Sequence, residues 1–144
     1  MALRNTKDDE TELREAGQRL TPQRRLILEV MRNLHGHVSV EDVMQEATRH
    51  DSSVSLATVY RILSWLTDHE IVCVTDMGGR DLAYEYLGHP RHHHLVCQQC
   101  GGQEEVPFEV MEPVIQQLRQ SFGFEARIDH QAIFGTCRDC RPDS

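Results

Sequence analysis

Several absences bound what this chain can be. No apolar run approaches the roughly 18 residues that a membrane span needs, which excludes a membrane-spanning role. No apolar segment of the secretory kind opens the chain, so the expected home is the cytoplasm, where thiols stay reduced. Positive charge is short as well: 15 Lys and Arg face 23 Asp and Glu, a formal net charge of −8. Neither half is basic, with 10 against 15 up to Leu87 and 5 against 8 after it. This balance counts against binding nucleic acid through bulk charge, because that affinity comes from neutralised phosphates. Any DNA contact must come from a local arginine patch, and part of the acidic excess can be answered by bound metal. Internal repeats and low-complexity segments are also missing. At 144 residues and 39% hydrophobic, the chain is long and apolar enough for one ordinary domain or two small ones.

What is present is concentrated in the second half. Two C-x-x-C pairs, Cys97 with Cys100 and Cys137 with Cys140, are separated by 36 residues. Four thiolates at that spacing suit one tetrahedral Zn2+ of the closed, structural kind. Two disulfides or idle thiols are the competing readings, and the lack of a secretory segment disfavours the disulfides. Cys73, inside the apolar run IVCV, reads as a buried small hydrophobe. A zinc hydrolase or deaminase fits poorly, since four thiolates leave no position for an activated water. The deaminase signature H-x-E with P-C-x-x-C is absent, because Val96 precedes Cys97 and Gln99 precedes Cys100. Just before the first pair stand His92, His93 and His94. On a strand, His92 and His94 face one way and His93 the other. With a carboxylate from Glu104 or Glu105 on an adjoining strand, the two imidazoles suit Fe2+, Mn2+ or Zn2+ and not soft Cu+.

The first half reads as helices and then a hairpin. A short helix is expected over 9–16, stopped by Gly17. Thr21 and Pro22 form an N-cap and first-turn pair, and Leu26, Ile27, Val30, Met31 and Leu34 follow at helical spacing. Arg24 and Arg25 fall in the first turn, where the helix dipole disfavours cations; an outside phosphate and plain solvation account for them equally. Ser39 heads a helix to about Arg49 with Val40, Val43, Met44 and Ala47 as its apolar stripe. Ser55 caps a helix over 56–68, with Leu56, Val59, Leu63 and Leu66 on one face and Ala57, Tyr60, Arg61 and Ser64 on the other.

That second face lacks the Glu and Lys of an idle surface and carries groups that bond phosphates and bases. It reads as a recognition helix. Strands over 71–76 and 82–87 around the turn Met77, Gly78, Gly79, Arg80 complete a winged helix-turn-helix. A small α/β domain that binds only protein shows the same pattern. After a hinge at 88–90, the second half should hold strands up to Val96, over 103–106, 124–129 and 132–135, and a helix over 111–122 in which Pro113 suits the first turn.

The motifs RLTPQR, HVSVEDV, SLATVYRIL, HHHLVCQQCG and GTCRDC, in that order over about 13–140, resemble the Fur family of metal-dependent transcriptional regulators. The resemblance implies an α+β chain: a winged-helix DNA-binding domain over 1–87, a hinge, and an α/β dimerisation and metal-binding domain over 91–144. It implies a homodimer on a palindromic double-stranded DNA operator, with no enzymatic activity and no small-molecule substrate. It matches a regulatory ion to His37, Glu85, His92, His94 and Glu105, and an accessory ion to His93, Glu112 and His130. Arg91 stands where many relatives carry another histidine. DNA contacts are expected from Arg19, Arg24, Ser55, Ala57, Thr58, Tyr60, Arg61 and Ser64. In the family, zinc sensors commonly carry cysteine where this chain has Glu85, and peroxide sensors aspartate at the positions of Glu85 and Glu105. Glutamate at both leans toward iron, with manganese, zinc or peroxide sensing and a protein-binding zinc ribbon as the alternatives.

Overall fold

Each early helix begins where a side-chain oxygen can satisfy its first amides. In the computed structural model, which describes residues 6–79, 82–128 and 130–142, α1 spans Thr6–Glu15 and α2 spans Pro22–Asn33. Thr21 caps α2 by accepting from the Arg24 amide. Ser39 opens α3, Val40–His50, with a reciprocal capping box to Asp42. Ser55 caps α4, Leu56–Asp68, through the Thr58 amide. A hairpin follows, β1 (Val72–Asp76) paired with β2 (Leu82–Tyr86).

Two compact units result, Met1–Val74 with Asp81–Pro90, and Thr75–Arg80 with Arg91–Ser144. The first is built around α2, α3 and α4. Its core joins Ile27, Leu28, Met31, Val43, Ala47, Val59, Leu63 and Leu66 to Tyr84 and Tyr86 of β2. Leu56, expected on the buried face of α4, is 41% exposed, and Ile62 is buried instead. Leu56 is the first residue of its helix, so no preceding turn lies over it.

The short first helix is anchored more firmly than its sequence suggested. Leu13 is in the core, and Asp9 is fully buried. The Tyr86 hydroxyl donates to the Asp9 carboxylate, which also accepts from Arg32 at 3.4 Å. Val38 and Tyr84 exchange two backbone hydrogen bonds of 3.1 and 2.8 Å, which ties the segment before α3 to the wing.

In the second unit β3 (His92–Cys97) is central, antiparallel to β4 (Gln103–Pro107) and parallel to β5 (Ala132–Gly135). A 3-10 turn, Phe108–Met111, leads into α5, Glu112–Phe122. The end of the hairpin groups with this sheet: Gly78, at φ +80°, approaches Phe134 so closely that a Cβ would stand 2.9 Å from the ring. No strand forms over 124–128, contrary to expectation, and position 129 lies outside the described residues. With β3 already flanked by β4 and β5, that segment has no open ladder to join beside it. None of α5 is buried, and Val110, Val114, Phe122, Phe124 and Phe134 are exposed.

Candidate metal centres

The end of β3 forms the first knuckle. Cys97 closes the strand, and the Gly101 amide donates back to the Cys97 carbonyl at 2.9 Å, a tight return that Gly101 permits at φ +74°. The second knuckle leaves β5 two residues later, and the Cys137 amide points at the Cys97 sulfur at 3.4 Å. Sulfurs of Cys97, Cys100, Cys137 and Cys140 all lie within 4.8 Å of one another. Cys100 and Cys137 stand 3.8 Å apart, the edge of a tetrahedron with metal–sulfur bonds of about 2.3 Å. Amide donors from Cys100, Cys137 and Gln99 draw the Cys97 thiol down to about 6. Hydrogen bonds with Cys137 and Cys100 push Cys140 up to about 12. The opposed shifts of Cys97 and Cys140 come from hydrogen bonding within the cluster. The donor set fits structural zinc.

Strand parity then sorts the imidazoles. His92 and His94 share a face of β3, with ring centroids 4.6 Å apart. The register sets Glu105 opposite His94 and Glu104 opposite Leu95, so Glu105 is the carboxylate on that face. His92 Nε2 lies 3.9 Å from Glu105 Oε1, and His92, His94 and Glu105 can each offer an atom to one point within 4.8 Å. Glu105 is exposed and His94 buried.

His93 faces the other way and is fully buried. It accepts from the Gln131 amide at 3.2 Å and stacks on Phe108. Its expected companions are elsewhere: Glu112 is exposed on α5 and bonds Gln116, and the His130 ring lies against His92 and His94. The accessory trio is thus not assembled, because β5 delivers His130 to the opposite face of β3. In the first unit the backbone exchange at Val38 and Tyr84 brings their neighbours together, with His37 Nε2 3.9 Å from Glu85 Oε2. Cys73 is half-buried, less enclosed than expected.

The α4 surface presents Ser55, Ala57, Tyr60, Arg61 and Ser64 exposed and Thr58 half-buried. Ser55 is engaged in its cap, its hydroxyl also 2.9 Å from Thr58 Oγ1. Arg24 does not reach freely outward: its guanidinium lies 4.1 Å above the Trp65 ring and donates to the Arg19 carbonyl at 2.8 Å. Arg24, Arg61, Ser64 and Trp65 border an open hollow of about 340 Å³. The Asp9 and Tyr86 contact was not foreseen; the only signal was an acidic residue on the apolar side of a weakly amphipathic helix.

A winged helix-turn-helix unit in one chain with a small α/β unit bearing clustered thiolates defines a class, the metal-sensing transcription regulators, which are not enzymes. The model of the ferric uptake regulator family matches residues 15–133. The ferric uptake regulation protein of Bacillus subtilis (strain 168) is 34% identical over 135 residues, which are 90% of this chain and 89% of that protein. The peroxide-responsive repressor PerR of Staphylococcus saprophyticus is 29% identical over 134 residues, 93% and 90% of the two chains. Among solved structures, the ferric uptake regulator from Pseudomonas aeruginosa with manganese has a TM-score of 0.75 at 27% identity, covering 90% of this chain and 97% of that one. This chain belongs to the ferric uptake regulator family.

Proposed function

We propose that this protein is a cytoplasmic repressor that binds a palindromic double-stranded DNA operator as a homodimer, with its affinity set by Fe2+. His37, Glu85, His92, His94 and Glu105 are the proposed regulatory ligands, and Cys97, Cys100, Cys137 and Cys140 hold Zn2+. The observation that carries the reading is the β3–β4 register, which sets His92, His94 and Glu105 on one face within reach of a common ion. Nitrogen and oxygen donors release an ion more readily than four thiolates, as sensing requires. When bound, the ion supplies the positive charge that draws imidazole and carboxylate groups together. DNA contact falls to the exposed side of α4, and dimerisation to the uncovered face of α5. Metal that tightens DNA binding must itself be bound more tightly in the DNA complex, by the same factor.

The test is titration of a genomic DNA pool with the zinc-containing protein, with and without Fe2+, Mn2+ and Zn2+. The wild type gains affinity on metal addition, whereas His37→Ala and His92→Ala stay folded, dimeric and zinc-loaded and gain nothing. Unchanged metal-dependent binding by either variant refutes the ligand set, and no metal dependence in the wild type leaves a protein-binding zinc ribbon. The S. saprophyticus relative favours a second reading, peroxide response; loss of DNA binding on peroxide treatment of the Fe2+ form, with the Mn2+ form unaffected, selects it.

A further inference from the structure

The His130 imidazole is a direct ligand in one set with His92, His94 and Glu105, we infer, and Thr75 is the residue that orients it. The inference rests on the reading that His92 and His94 bind the sensed ion. Three observations within the second unit support it. First, the rings are already gathered: His130 lies 4.6 Å from His94 and 5.0 Å from His92 between centroids, each pair nearly perpendicular. Nε2 of His130 is 2.6 Å from Nε2 of His94. Second, the backbone holds it there. The His94 amide donates to the Gln131 carbonyl at 2.8 Å, and the Gln131 amide donates to Nδ1 of His93 at 3.2 Å. The residue next to Gln131 is therefore clamped beside β3 before β5 begins.

The third observation concerns protons. Two Nε2 atoms at that distance cannot both present a lone pair, so one proton or one cation must lie between them. Nδ1 of His130 is 2.9 Å from Thr75 Oγ1. If Nδ1 carries the hydrogen and donates to that hydroxyl, Nε2 is left as a lone pair aimed at His94. A ring nitrogen fixed by an outer partner while the other faces the ion is the usual support of a metal-bound histidine. Nitrogens sharing a tetrahedral ion at about 2.1 Å stand about 3.4 Å apart, so the pair must open by about 0.8 Å. Three imidazoles and one carboxylate make a donor set for a divalent cation of the Fe2+, Co2+ or Zn2+ kind. Thr75 lies near the end of β1 and belongs to the same compact unit as His92, His94 and His130.

Co2+ titration of the full-length protein carrying its cysteine-bound zinc tests this through the visible d–d spectrum. His130→Ala and the more conservative His130→Gln should weaken the His92-dependent site by more than the roughly 10–100-fold typical of outer partners and shift its spectrum. Thr75→Val should fall within that roughly 10–100-fold range, and Thr75→Ser should restore it. Glu112→Ala should change nothing. Loss of Co2+ binding in His92→Ala with affinity and spectrum unchanged in both His130 variants overturns the inference and leaves the proposed sensor standing. Loss of a separate Co2+ equivalent in both His130→Ala and Glu112→Ala overturns it too, whereas no effect of His92→Ala sinks it together with the proposed sensor.

Discussion

Replacing Cys137 by serine should unfold the second unit while the first stays folded. Serine is a poor zinc ligand at neutral pH, and the Cys137 sulfur lies 3.8 Å from that of Cys100 at the heart of the four-sulfur cluster. Among the described residues of this unit, Val96 and Cys97 are the only buried apolar side chains, and α5 buries none. Structural zinc contributes about 10–16 kcal/mol in small zinc domains, whereas a whole domain is stable by only about 5–15 kcal/mol. Loss of the ion therefore removes as much as the unit has. Trp65, the single tryptophan, sits on α4 in the first unit and gives a local reading of it. In Cys137→Ser, or in the wild type treated with a strong chelator, far-UV circular dichroism should lose the β3–β5 and α5 signal at low temperature. Trp65 fluorescence should then melt separately and later. A variant whose Trp65 and circular dichroism transitions coincide with those of the zinc-loaded wild type would show that the thiolate cluster is not what holds this unit together.

Tyr86→Phe removes the hydroxyl donor to buried Asp9 and should cost the first unit about 1.5–3 kcal/mol in urea unfolding. Burial first, and then the bond to Asp9, raise the Tyr86 hydroxyl from 10.0 to about 12. Because that value is raised on folding, its contribution is complete below pH 10 and lost as pH climbs toward 12. The gap between wild type and Tyr86→Phe should close over that interval; a gap that is constant or widens contradicts the assignment. Val114→Asp, on the uncovered face of α5, should weaken self-association at least roughly 100-fold, since about 3 kcal/mol of unpaired buried charge suffices for that. Sedimentation showing the same dimer in wild type and variant would move the interface elsewhere.

Where the sequence was explicit, a local chemical requirement made it so. Thr21, Ser39 and Ser55 fix three helix starts because their hydroxyls meet amides that otherwise have no partner. The paired cysteines advertise a cluster because few other uses need that spacing. Apart from Leu56, whose exposure follows from its place at the start of α4, the misses involve partners distant in the chain. Alternation cannot tell whether a strand has a ladder to join, so 124–128 reads as a strand and is none within this chain. Parity separated His93 from its neighbours but could not say that Phe108 would cover it. The face on which His130 falls depends on β5 running parallel to β3, and no local signal carries that direction. The burial of Asp9 depends on Tyr86, which stands 77 residues away.

The paired amide exchange between Val38 and Tyr84 has a mechanical meaning. Two backbone hydrogen bonds form a short rigid strut between the α2–α3 connection and a wing strand. Neither His37 nor Glu85 can then be drawn toward a new partner without the other's backbone following. A pull on the His37 backbone would reach the wing strand through these two bonds.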